Sequence, residues 1–332
     1  MKKLILLIFV FVSVSGMATR ILIPMNETQK NHMKAYGMAY WVLHHEVDVE
    51  WLLNYKGGSF LTPYSKDIEN ECVIRGVTYT VIPEAQATSI RVEIANPEIN
   101  MEVVKLEKAP KIAVYSPKGK QPWDDAVTLV LTYAEIPYTT IYDDEIIRGD
   151  LHLYDWLHLH HEDFTGQYGK FFGAYRNAPW YRKQVEEFEA TAARLGFEKV
   201  SELKLGVAIK IKEYVAGGGF AFTMCSGTDS YDIALSAEEV DIAETMFDGD
   251  PADPQAQQKI EFTRTFAFQD FTLSRNPMEY EFSNIDATPL HVRTPENIDY
   301  FTLFEYSAKW DPVPTMLTQN HDYDKQAEAG NN

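Results

Sequence analysis

The stretch Gly217-Gly218-Gly219-Phe220-Ala221-Phe222-Thr223-Met224-Cys225-Ser226-Gly227 reads as a glycine break, a short apolar strand and a turn that carries a thiol into a helix. A nucleophile on a tight strand-to-helix turn projects its side chain from the sheet edge, and the helix N-terminus that follows favours a thiolate. Gly227 lets the helix backbone approach a neighbour closely. The amides of Ser226 and Gly227, and those of the glycine loop at Gly218 and Gly219, are candidates to hold an oxyanion. The chemistry implied is attack on a carbonyl. The same residue types also suit a small buried hydrophobe at a strand end, so both readings of Cys225 stand at this point.

A second cluster closes the strand that begins near Tyr154: His158, His160, His161, Glu162 and Asp163. Period-two alternation puts His158 and His160 on one face, with His161 emerging at the tip beside Glu162 and Asp163. Imidazole and carboxylate together supply a general base, or ligands for Zn²⁺ or Mn²⁺. The spacing matches no standard zinc motif, so a site lined by these groups without a metal or other cofactor is expected. Asp248-Gly249-Asp250 with Asp253 has a partial likeness to a Ca²⁺ loop, but no Glu closes it at the required distance, which favours an acidic surface turn.

The elements that position these residues follow from periodicity. From Lys111 the chain alternates: strand 112–115, a helix with Val127, Val130, Leu131 and Ala134 at helical spacing, strand 139–142, strand 154–160, helix 180–195, helix 201–215 and strand 220–224. Alternating strand and helix predict a doubly wound parallel sheet. Ser116, Asp143 and Asp144, His160 to Glu162, and Cys225 each follow a strand, so all fall at the carboxyl edge, where open α/β sheets bind ligands. Upstream, strand 20–25, a helix bearing Met33, Tyr36, Tyr40 and Leu43, and strand 49–55 predict one βαβ unit, with Gly57 and Gly58 at the carboxyl edge of a parallel sheet. A strand over 77–82 and a mixed segment to Leu106 follow. A boundary near residue 110 then gives an N-terminal α/β segment over 19–110, an α/β domain over 111–320 and a polar tail over 321–332.

The 332 residues are 45% hydrophobic and 24% charged, enough for a packed core. A net charge of −19 repels phosphate backbones and anionic lipid and leaves no basic stripe for nucleic acid, so no nucleic-acid partner is expected; a small-molecule ligand is expected from the polar groups at the carboxyl edge. Two cysteines, Cys72 and Cys225, cannot build a disulfide framework, although one bridge between them is compatible with an oxidising compartment. Met1-Lys2-Lys3, the apolar run Leu4 to Val12, and Gly16-Met17-Ala18 read as a signal peptide cleaved after residue 18, too short to span a bilayer, so stable membrane insertion is not expected. The predicted product is periplasmic or secreted.

The cysteine turn resembles the nucleophile elbow of class I glutamine amidotransferase-like domains, where a Gly-Gly turn, an apolar strand and G-x-C-x-G occur in this order. Thr223 stands where that family places its first elbow Gly, and the chain has no H-P-E sequence to supply the family's partner histidine; His291 and His321 have other neighbours. The resemblance implies a flavodoxin-like sheet and Cys-dependent amide hydrolysis or amidotransfer with Cys225 as nucleophile, and the shared carboxyl edge makes His160, His161 and Glu162 its candidate partners. The stretch Thr28 to Gly37 leading into Glu50-Trp51-Leu52-Leu53-Asn54-Tyr55 also resembles a secreted bacterial family commonly labelled asparagine synthetase B. Ser226-Gly227-Thr228-Asp229-Ser230 is similar to the pyrophosphate loop S-G-G-x-D-S of asparagine synthetases, but is one residue short and lacks the second Gly. A compartment without ATP disfavours ATP-dependent amidation. A non-catalytic binding protein on the same fold is the remaining alternative.

Overall fold

The computed structural model describes residues 19–117 and 126–286, which divide into two compact units with the break between Ala109 and Pro110. The signal-peptide reading of residues 1–18, His291, His321 and the tail over 321–332 lie outside the described residues. No helix among the described residues is long and apolar enough to cross a membrane.

In the first unit the elements run β1 (Thr19–Ile23), α1 (His32–His44), β2 (Val49–Leu53), β3 (Ser59–Pro63), α2 (Lys66–Arg75), β4 (Thr80–Pro83), α3 (Glu84–Ile94) and β5 (Glu102–Leu106). They build a five-stranded sheet of order β4-β1-β3-β2-β5 in which every pairing is antiparallel. The expected parallel βαβ unit is therefore corrected: β3 lies between β1 and β2, a split βαβ arrangement. Gly57 and Gly58 form the β2–β3 hairpin connection instead of a parallel sheet edge. Both have positive φ, +80° and +90°, and a Cβ at Gly57 would come within 2.6 Å of the Met25 carbonyl oxygen. Strand alternation sends Ile21 and Ile23 to the face covered by α1 and α2, and Leu22 to the face covered by α3. With both faces covered, the strand reads as a continuous apolar run.

The second unit carries β6 (Ile112–Tyr115), α4 (Ala126–Ala134), β7 (Tyr138–Ile141), α5 (Asp143–Arg148), β8 (Trp156–Leu159), α6 (Phe172–Tyr175), α7 (Pro179–Leu195), α8 (Val200–Ala216), β9 (Phe220–Thr223), α9 (Ser226–Ser236), α10 (Thr245–Asp248) and α11 (Ala256–Lys259). Its four strands are parallel, in the order β7-β6-β8-β9. Residues of α5, α7, α8 and α9 join Ala113, Tyr115, Leu157 and Leu159 in one apolar core. Pro179 at the first position of α7 and Gly196 at its C-cap, φ +88°, bound that helix as helix-end chemistry requires. In α8, Val200, Leu203, Lys204, Val207, Ala208 and Ile211 are buried at helical spacing, so one ammonium lies on an otherwise apolar stripe.

Candidate functional site

Cys225 sits between β9 and α9 as the N-cap of an eleven-residue helix, with φ +52° and ψ −147°. This region of backbone space is almost confined to glycine and costs a non-glycine residue on the order of 1–3 kcal/mol. Cys225 is half-buried, and the preceding Met224 is exposed. Met224 N–H donates to the Leu159 carbonyl at 3.0 Å, continuing the β8–β9 ladder up to the turn.

The loop after β8 lies against the same turn. Gly227 N–H donates to the His160 carbonyl at 2.9 Å, and a Cβ at Gly227 would collide with that oxygen. One turn further along α9, the Ser230 hydroxyl donates to the Glu162 carbonyl at 3.0 Å and accepts from Phe164 N–H at 3.3 Å. Three hydrogen bonds thus fix residues 160–164 beside the first turns of α9. Asp163 closes the loop on itself, accepting from Thr165 N–H at 2.6 Å, the Thr165 hydroxyl at 2.7 Å and Gly169 N–H at 3.0 Å.

His160 and His161 meet Nδ1 to Nδ1 at 2.9 Å. One nitrogen of such a contact donates and the other accepts. With both rings neutral, one imidazole has a basic Nε2 and the other an Nε2–H. Glu162 is buried and His160 and His161 half-buried. His158 points elsewhere: it is buried within the sheet and packs on Phe222 of the neighbouring strand, ring centroids 5.3 Å apart.

Ser116 follows β6 at the same carboxyl edge, its N–H donating to the Ile141 carbonyl at 3.0 Å. Three sequence expectations are corrected. Gly218 and Gly219 precede β9 and lie at its amino edge, where with His152, Tyr154 and Asp155 they line a cleft of about 590 Å³. A four-residue strand, roughly 13 Å at 3.3 Å per residue, separates that edge from Cys225, so their amides cannot serve its oxyanion. Asp143 is fully buried beneath the edge and does not line it. Asp144 is committed to Arg194 of α7, with one oxygen at 2.9 Å from Nη2. Gly227 also changes role, because its N–H is spent on His160; Ser226 N–H is the elbow amide that remains.

Sequence reasoning missed Lys204. Its ammonium donates at 2.9 Å to both Asp143 oxygens and to the Tyr115 and Tyr142 hydroxyls. Tyr115 hydroxyl in turn donates to Asp143 Oδ1 at 2.5 Å. Burial holds both tyrosine hydroxyls well above their ordinary range, reinforced by the Asp143 and Glu162 carboxylates. The signal was a lysine at position i+4 of the apolar stripe begun by Val200.

The acidic turn resolves into Asp241, Asp248 and Asp250, whose oxygens converge closely enough for a cation among the described residues. Lys199 Nζ meets them, at 3.3 Å from Asp241 and 3.1 Å from Asp248, and also binds Asp250. Neither cysteine is in a disulfide. Cys72 is buried in the core of the first unit, where burial pushes its thiol up to about 12. No family model, curated protein or solved structure matches this chain.

Proposed function

We propose that the second unit is a class I glutamine amidotransferase-like domain of an exported protein, with the doubly wound, flavodoxin-like sheet of that class, and that it hydrolyses or transfers a small-molecule amide at Cys225. The observation that carries the reading is the Cys225 backbone, φ +52° at a strand-to-helix junction, which spends conformational energy to present a half-buried thiol. The strand order supports it. β6 connects to β7 on one side and β7 to β8 on the other, so the direction of winding reverses between β6 and β8. Ligands of open α/β sheets bind outside the carboxyl ends of such strands, where Ser116 and the 160–162 loop are found.

In this mechanism the imidazole with the basic Nε2 takes the proton of Cys225, and the thiolate attacks the amide carbonyl carbon. The tetrahedral oxyanion is held by Ser226 N–H at the start of α9. The imidazolium returns its proton to the departing nitrogen, releasing ammonia and leaving a thioester. Water, deprotonated by the same imidazole, then cleaves the thioester to a carboxylic acid and restores the thiol. In this reading Glu162, buried one residue after the pair, is the candidate orienting carboxylate. The Ser226 to Ser230 segment is helical, with Gly227 N–H and the Ser230 hydroxyl bound to the 160–164 loop, so these donors are not presented to a phosphate.

Ammonia release from glutamine and a panel of small primary amides, compared between the wild-type chain and Cys225→Ala, tests the proposal. Release that disappears in the variant supports it. Equal release from both proteins would exclude thiol catalysis.

A further inference from the structure

The proposed mechanism makes no use of the most buried ion pair among the described residues of the second unit. Lys204, Asp143, Tyr115 and Tyr142 come from α8, the start of α5 and the ends of β6 and β7, and together sit under the carboxyl edge. Lys204 is 2% exposed and Asp143 0%. Every proton of the ammonium has an oxygen to receive it, and the Tyr142 ring lies under it at 4.2 Å. Taking both charges out of water is costly, and an apolar group of similar volume would commonly serve stability as well. What such a cluster adds is directionality, since hydrogen bonds fix ring positions that apolar packing alone leaves loose.

The rings it fixes lead to the site. Tyr115 stacks on Tyr142 at 4.7 Å on one side and on Phe164 at 5.4 Å on the other. Phe164 is fully buried, packs edge-on against Tyr231 of α9 at 5.4 Å, and has its N–H tied to Ser230. Two residues before it stands Glu162, and before that the histidine pair. We propose that the Lys204–Asp143 pair is a positioning device, which through Tyr115 and Phe164 sets the 160–164 loop, and hence the histidine pair, against Cys225. The proposal rests on the reading of Cys225 as a reactive thiol.

The test uses the full-length chain and needs no substrate. The double variant Lys204→Met/Asp143→Asn removes both charges while keeping approximate volume, and Tyr115→Phe removes the hydroxyl by which the ring stacked on Phe164 is tied directly to the pair. For each, the second-order rate of Cys225 alkylation by iodoacetamide and the imidazole ¹⁵N shifts of His160 and His161 are measured, with circular dichroism as the check of folding. Positioning predicts folded variants whose Cys225 rate changes by about tenfold, as expected for sub-ångström misplacement, with displaced histidine shifts. A cluster that only stabilises the fold would lower the melting temperature and leave native-state rates and shifts superimposable on wild type. That result would overturn the proposal. Should the double variant not fold, Tyr115→Phe alone decides by the same two outcomes. Failure of the amidase reading is seen separately, as amide hydrolysis that is absent from wild type or insensitive to Cys225→Ala.

Discussion

The amide of Gly227 donates to the carbonyl of His160 at 2.9 Å, so the first turn of α9 and the loop after β8 are in backbone contact. Only glycine permits this approach, because a Cβ would occupy the space of the carbonyl oxygen. Gly227→Ala should therefore push the two segments apart, costing about 1–3 kcal/mol through strain and the lost buried hydrogen bond. Chemical denaturation gives the stability change, and alkylation should show a slowed Cys225. An alanine variant as stable and as reactive as wild type would mean that the contact does not exist in solution.

The strain at Cys225 has a separate signature. Cys225→Gly relieves a positive φ that Cys225→Ala retains, so the glycine variant should be the more stable by roughly 1 kcal/mol, even after allowing for the greater freedom of glycine in the unfolded chain. Urea unfolding of the two variants compares them directly. An alanine variant more stable than the glycine one would show that the turn is unstrained.

The parallel sheet of the second unit was legible in the sequence because its strands are short apolar runs separated by helical spacing. The same runs could not show that β3 inserts between β1 and β2, since β1-α1-β2 reads identically in a parallel unit and in a split one; the pairing partner is a long-range choice. Gly218 and Gly219 were misplaced for a simpler reason. They precede β9 in sequence, and strand direction alone assigns them to the amino edge, opposite Cys225. The backbone contact between the loop after β8 and the first turns of α9 is what strand ends could anticipate. Lys204 was hidden because a lysine on an apolar stripe is normally a helix boundary residue reaching for solvent, and its partners Asp143 and Tyr115 come from two other elements, α5 and β6.

The two thiols should separate cleanly on alkylation. Burial pushes the Cys72 thiol up to about 12, so it offers little thiolate below pH 9 and little access, whereas Cys225 is half-buried at a helix N-terminus. Peptide mapping after brief iodoacetamide treatment near neutral pH should find the label on Cys225. Cys72 should react only on unfolding. Labelling of Cys72 first would contradict the burial of α2 against the first sheet.

Acid should weaken the first unit through Glu84. Hydrogen bonds from Arg20 at 2.6 Å and Arg91 at 2.8 Å hold its carboxyl below the ordinary value of 4.5. A carboxyl lowered in the folded state contributes stability above its unfolded value and loses it as pH falls through the folded one. Wild type should thus melt above Glu84→Gln at pH 7, and the gap should close as pH drops below 4.5. A gap that stays constant from pH 7 to pH 3 would show that Glu84 makes no net ionic contribution.

The reactive role of Cys225 is tested most directly by a covalent trap. Incubation with a diazoketone analogue of glutamine, followed by intact-mass measurement and peptide mapping, reads whether the thiol attacks a carbonyl compound held at the carboxyl edge. The account predicts one adduct, on Cys225, formed faster than with a plain alkyl halide of equal intrinsic reactivity, competed by the amide substrate and lost in Cys225→Ala. No adduct on Cys225, together with amide hydrolysis that persists in Cys225→Ala, would contradict it.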